Sequence, residues 1–220
     1  MKITALRLQK HNPNRVNVYL DGEFAFGLSR IVAAWLRVGD ELSAEKITAL
    51  QAEDGIEVAH QRALRLLESR PRTRQEITQN LKNHDTPPQV IEAVLERLER
   101  SGLLNDAAFA RAWVENRTDF RPRGSALLRQ ELRQRGVPQK TIETVLTEIQ
   151  PQEATLAYRA GQQRLNRYAA LPWPEFRRKM GAYLMRRGFP YEIVQQALRQ
   201  LWNDLPHPLE TDPPNEEPQP

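Results

Sequence analysis

The chain has 220 residues, 27% charged and 40% hydrophobic, with a formal charge of +4, a composition that describes a soluble globular chain of one to three small units. The absence of cysteine excludes disulfides, thiolate metal sites and a cysteine nucleophile, which fits a reducing, cytoplasmic setting. No apolar run approaches the ~18 residues a bilayer span requires, so neither a membrane span nor a signal peptide is expected.

In chain order, "RVNVYLDGEFAFGL" alternates apolar and polar residues around Asp21-Gly22, the signature of a β-hairpin. A strict two-residue loop would pair Leu20 with Glu23 and split the apolar residues between two faces. Pairing Leu20 with Phe24 puts Val16, Val18, Leu20, Phe24, Phe26 and Leu28 on one face, so a three-residue or bulged loop is expected. "ITALRLQ" adds a third strand. Helices around residues 31–36 and 44–51 complete an N-terminal unit ending near Asp54-Gly55 and assigned to 1–55.

The remainder repeats itself. Counted from Leu81, Leu132 and Leu184, which are 51 and 52 residues apart, offset +6 is Pro87, Pro138 and Pro190, and +14 is Leu95, Leu146 and Leu198. Offsets +10, +13 and +17 are also apolar in each copy: Ile91, Val94 and Leu98, then Ile142, Val145 and Ile149, then Val194, Ala197 and Leu201. That spacing is the buried stripe of an amphipathic helix. Offset +4 is Asp85, Gly136 or Gly188, residue types that reach the left-handed region at a helix end, and the proline two residues on suits the first turn of the next helix. A preceding helix completes each copy: "VAHQRALRLLES", "NDAAFARAWVENR" and "EATLAYRAGQQRL".

The expected fold is therefore mainly α: three tandem three-helix repeats at 56–105, 106–151 and 152–205, in an elongated, curved array behind the β-hairpin unit. Residues 206–220 carry four acidic side chains, no basic one and many prolines, and are expected to be disordered.

Charge is unevenly placed, since 153–205 carries nine basic side chains against four acidic ones. "RPRGSALLRQELRQRG" supplies Arg121, Arg123, Arg129, Arg133 and Arg135, and "FRRKMGAYLMRRG" supplies Arg177, Arg178, Lys179, Arg186 and Arg187. Because the two runs occupy equivalent helices, they are candidates for one stripe directed at phosphates or an acidic partner surface. The bland alternative is two solvated helix faces. Phe120, in the expected loop "TDFRPRG", is a candidate contact residue. Asn105-Asp106 reads as a helix cap, with Asp106 the acceptor, and Phe109, Trp113 and Val114 read as core.

Enzymatic patterns are missing. There is no phosphate loop, dinucleotide fingerprint or H-E-x-x-H, the histidines His11, His60, His84 and His207 are scattered singly, and no serine sits in a nucleophile elbow. No catalytic residue, metal or cofactor is expected. Three-helix units with a tight turn also describe helix-turn-helix DNA-binding proteins, but "PQVIEAVLERLER" and "PQKTIETVLTEIQ" are acid-rich where a recognition helix is basic. An inert helical scaffold is the third reading.

The run "SGLLNDAAFARAWVENR", with "RTRQEI" before it and "RGSALLRQELRQRGV" after it, resembles the RecX family. There a Gly-Leu-Leu/Ile-Asn/Asp-Asp-x-x-Phe/Tyr-Ala stretch joins the first unit to the second, ahead of Gly-x-x-x-Leu-x-x-Glu-Leu and a Lys/Arg-Gly turn. The resemblance covers roughly 57–201, is most specific over 62–149 and weakens in the third repeat; the hairpin unit and the tail lie outside it. It implies a monomeric, cofactor-free, non-enzymatic regulator of the RecA recombinase. Such a protein binds the RecA filament on single-stranded DNA, limits its growth and suppresses its activities, in DNA repair and the SOS response.

Overall fold

Asp21 and Gly22 have φ of 48° and 98°, so both loop residues are left-handed and the hairpin turn matches the twist of its strands. The strands are β1 (Ile3–Gln9), β2 (Asn12–Leu20) and β3 (Glu23–Ser29), antiparallel in the order β1-β2-β3. The computed structural model describes residues 1–206, so the segment expected to be disordered lies, from His207 on, outside the described residues. The chain divides into two units, Met1–Asn105 and Asp106 onward.

In the first unit, Leu20 pairs with Glu23 and not with Phe24. The expected bulge lies one step further on: Tyr19 faces Phe24 and Val18 faces Phe26, so Ala25 is the extra residue. That single insertion returns Phe26 and Leu28 to the side of Val18 and Val16, as the period of two requires. Phe24 stays on the outer face, 58% exposed, edge-on to Tyr19 at 5.9 Å. The inner face buries Ile3, Val16, Val18, Leu20 and Leu28 with Val32, Leu42 and Leu50.

The helices that follow depart from expectation. α1 (Arg30–Ala33) is a single turn, and α2 (Ala44–Ser69) runs for 26 residues straight through Asp54-Gly55. A glycine inside a helix costs only about 1 kcal/mol. Here the Asp54 carboxylate, 8% exposed, accepts from the Ser29 N–H at the end of β3 and from Arg15 Nη2 at 3.0 Å, pinning the helix to the sheet. The residue pair that looks like a boundary is a tether.

The C-terminal half of α2 packs with α3 (Arg74–Lys82) and α4 (Pro88–Arg100) around Ala59, Ala63, Ile77, Leu81, Ile91, Val94, Leu95, Leu98 and Leu104. The second unit repeats this arrangement twice. α5 (Asp106–Phe120), α6 (Ser125–Gln134) and α7 (Gln139–Ile149) enclose Phe109, Val114, Leu128, Leu132, Ile142, Val145 and Leu146. After a 3₁₀ turn come α8 (Glu153–Gln162), the one-turn α9 (Leu165–Tyr168), α10 (Trp173–Arg186) and α11 (Tyr191–Asn203). These bury Leu156, Phe176, Met180, Leu184, Val194, Leu198, Leu201 and Trp202.

The repeated turn has one geometry. Asp85, Gly136 and Gly188 have φ of 55°, 76° and 84°. The next N–H, of Thr86, Val137 or Phe189, returns to the carbonyl of Leu81, Leu132 or Leu184 at 3.2, 3.1 and 3.4 Å. This is a helix stop that satisfies the last carbonyls of the first helix. Pro87, Pro138 and Pro190 sit at the N-cap, one residue before the first turn where they were expected, in extended conformation with φ near −60°.

Candidate anion-binding cleft

Within the second unit, the segment after α5 is bonded to the turn between α10 and α11. Gly124 N–H donates to the Arg187 carbonyl at 2.9 Å, Ala126 N–H to the Gly188 carbonyl at 3.2 Å, and Arg187 Nη1 to the Pro122 carbonyl at 3.2 Å. Gly124 lies against the backbone of Gly188, and Gly188 against that of Leu127, so closely that a Cβ on either would overlap its neighbour. Ser125 N–H donates to the buried Glu153 carboxylate at 2.7 Å, a second tie between the repeats.

These contacts bring Arg121 and Arg123 of the second repeat beside Arg186 and Arg187 of the third. The four line a cleft of about 380 Å³ with Leu127, Glu131 and Tyr183. A second recess of about 370 Å³ adjoins it, lined by Asn116, Arg117, Phe120 and the same Arg121 and Arg123.

Glu131 is the carboxylate among these linings. It pairs with Arg123 and, at 3.5 Å, with Arg117, and accepts from Trp113 Nε1 at 2.9 Å. The Trp113 ring is fully engaged: Phe109 stacks at 5.9 Å, and the guanidinium carbons of Arg117 and Arg135 lie 4.2 and 4.9 Å from its centroid. Burial, followed by the charges of Arg117, Arg187 and Arg121, lowers the Arg123 pKa below the usual arginine value. An arginine does not lose its proton in a protein, so the cluster stays cationic, offset in part by the Glu131 carboxylate. Tyr183 is 9% exposed, flanked by Arg187 and Arg164 at 5.1 and 5.5 Å from its ring, and its buried hydroxyl has no hydrogen-bond partner among the described residues.

Of the candidate residues from the sequence, Phe120, Arg121, Arg123, Arg186 and Arg187 converge here. The others go elsewhere. Arg129 forks onto Glu143 at 3.0 and 3.2 Å, Arg133 donates to Gln139 at 2.8 Å, and Lys179 to Glu175 at 3.0 Å. Arg135 covers Trp113, while Arg177 and Arg178 line a separate recess with Ala182, Met185 and Tyr191. Phe120 is the last residue of α5 rather than part of a loop, because Pro122 is the first residue that halts the helix, and it is 74% exposed.

Sequence reasoning missed Arg117, Glu131 and Tyr183. Arg117 carried a signal, lying four residues after Trp113 and three before Phe120 on one helix face. Tyr183, inside the apolar "GAYLM", carried none. The first unit has a cavity of its own, about 590 Å³, lined by Arg15, Ser29, Arg30, Ile31, Glu57 and Gln61 among others. Among the described residues no cluster of His, Asp or Glu is placed to hold a metal, and no helix is long and apolar enough to cross a membrane.

Comparison with known proteins extends the family likeness to the hairpin unit, which the resemblance in sequence motifs leaves outside it. The family model described as "Regulatory protein RecX N-terminal domain" matches residues 1–43, and the first, second and third RecX three-helix domains match 59–98, 105–146 and 152–198. The regulatory protein RecX of Limosilactobacillus reuteri is 32% identical over 203 residues, covering 90% of this chain and 76% of that protein. The Bacillus subtilis protein of the same name is 31% identical, with 90% and 76% covered. A crystal structure of regulatory protein RecX superposes with a TM-score of 0.73 at 31% identity, covering 88% of this chain and 97% of that one.

Proposed function

Since the chain belongs to the RecX family of regulatory proteins, we propose that it is a non-enzymatic, cytoplasmic regulator of the RecA recombinase in DNA repair and recombination. In this reading it binds RecA and its filament on single-stranded DNA as a monomer and restrains ATP hydrolysis, strand exchange and filament extension, without a cofactor. The observation that supports it best is the junction cleft, where the exposed Arg121 and Arg186 stand beside the half-buried Arg123 and Arg187 with Glu131 as the carboxylate of the lining. Such a surface grips an anionic assembly.

Helix-turn-helix binding to a DNA groove is the less favoured reading. The exposed residues of α4 and α7 include Glu92, Glu96, Glu99, Glu143 and Glu148, which would face phosphates with the wrong charge. The deciding experiment is RecA ATP hydrolysis on single-stranded DNA, with this protein titrated below the RecA concentration. Loss of hydrolysis at substoichiometric protein is expected; hydrolysis unchanged up to an equimolar amount rejects the reading.

A further inference from the structure

We propose that the junction cleft is a direct site for single-stranded nucleic acid, in which the guanidinia of Arg121, Arg186 and Arg187 hold one backbone phosphodiester and the ring of Phe120 takes an adjacent base. The inference deepens the reading above and rests on it only in taking this cleft as the working surface; RecA plays no part in it.

The charge inventory comes first. The cleft and its adjoining recess collect Arg117, Arg121, Arg123, Arg186 and Arg187, and the carboxylate among them, Glu131, is already engaged by Arg117, Arg123 and Trp113. Arg121 and Arg186 have no acceptor among the described residues. An excess of planar, forked donors around a concave surface suits a tetrahedral anion, which takes hydrogen bonds from several directions at once. Tyr183 also lines the cleft, between the cations of Arg187 and Arg164, while its hydroxyl is buried and has no partner among the described residues.

The second feature separates nucleic acid from other anions. Phe120 is 74% exposed at the end of α5 and shares its recess with Arg121 and Arg123. An acidic peptide would use the arginines and leave that ring in water. A nucleotide strand offers a phosphate and a π-face a few ångströms apart, the pairing on which sequence-tolerant single-strand binding rests. In a duplex the base faces are stacked on one another, so Phe120 would have no partner. Trp113 cannot serve instead, because its ring is already stacked and covered by cations.

The test is fluorescence anisotropy with the full chain and no RecA, using an oligo-dT strand, an abasic strand of equal length and a duplex, each over a range of salt. Arg186→Gln should weaken both single strands about ten-fold and lower the salt slope by about 0.7, the loss of one phosphate contact. Phe120→Ala should weaken oligo-dT about ten-fold and leave the abasic strand unchanged. Wild-type affinity in Arg186→Gln, equal loss on both strands in Phe120→Ala, duplex bound more tightly than single strand, or full competition by free pyrophosphate would each overturn the proposal. The two readings fail separately: binding oligo-dT as described while leaving RecA hydrolysis untouched rejects the regulatory reading alone. Restraint of RecA without oligonucleotide binding rejects this one alone.

Discussion

Gly124 lies against Gly188 with no room for a side chain between them. This backbone-to-backbone approach, sealed by the Gly124 N–H to the Arg187 carbonyl at 2.9 Å, joins the second repeat to the third and sets four arginines around one cleft. Gly124→Ala should therefore separate the two segments. Its Cβ would meet backbone, which cannot swing aside, so we expect a loss of about 1–3 kcal/mol by urea denaturation, the usual cost of overpacking, with Glu153→Gln milder. A Gly124→Ala chain as stable as the wild type would show that the junction is pliable.

Glu131 holds the floor of the cleft, with its side chain 13% exposed. Glu131→Ala strips Trp113 Nε1 of its acceptor and leaves Arg117 and Arg123 without a counter-ion. A cost of about 1–3 kcal/mol is expected for the unsatisfied donor. Added salt should recover part of it by screening the arginines. A variant whose deficit does not change with salt would point to packing instead.

Arg129 and Arg133 look, in the sequence, as good a binding pair as any. Since Arg129 forks onto Glu143 and Arg133 donates to Gln139, Arg129→Ala and Arg133→Ala should leave RecA hydrolysis assays unchanged. Exposed pairs of this kind contribute little to stability. A loss of RecA restraint in either variant would extend the working surface beyond the cleft.

His60 is 7% exposed beside Arg97; burial first, then the Arg97 charge, hold its pKa below the ordinary 6.5, against a pull upward from Glu57. For Glu57 burial pushes upward, but the bonds from Gln61 and Arg97 and the charges of Arg97 and His60 prevail, and its pKa is lowered from 4.5. A histidine depressed on folding binds more protons when unfolded, so its contribution is intact above about pH 6.5 and declines as pH falls through that value. Glu57 adds a further loss below its ordinary value. The urea midpoint should thus be lower at about pH 5.5 than at about pH 7.5, and His60→Leu should flatten that difference. The same slope in the variant would assign the proton uptake elsewhere.

Leu132 is fully buried and its carbonyl closes the turn at Gly136. Leu132→Ala should cost about 2–5 kcal/mol, measured by chemical denaturation. A smaller loss would mean that the three helices around it collapse readily onto the cavity.

The repeat was legible because it is a local code. A buried leucine, a residue able to reach positive φ and a proline cap act within seven residues, and the apolar stripe that follows has a period fixed by the helix itself. The hairpin turn was legible for the same reason. Its register was not, because two pairings of the same apolar residues satisfy alternation, and only packing beneath the sheet chose the bulge at Ala25. Likewise Asp54-Gly55 has the composition of a boundary, and only the Ser29 N–H and the Arg15 guanidinium, distant in the chain, make it a buried tether.

The sequence by itself determined the mainly helical class, the three repeats, the hairpin and the family, since each rests on spacings of a few residues or on a motif within one segment. Only the tertiary structure decided which arginines meet. Their side chains are alike in the sequence, and their roles diverge because Gly124 and Gly188 allow two backbones to touch, placing Arg121 and Arg123 against Arg186 and Arg187 while Arg129 turns back to Glu143.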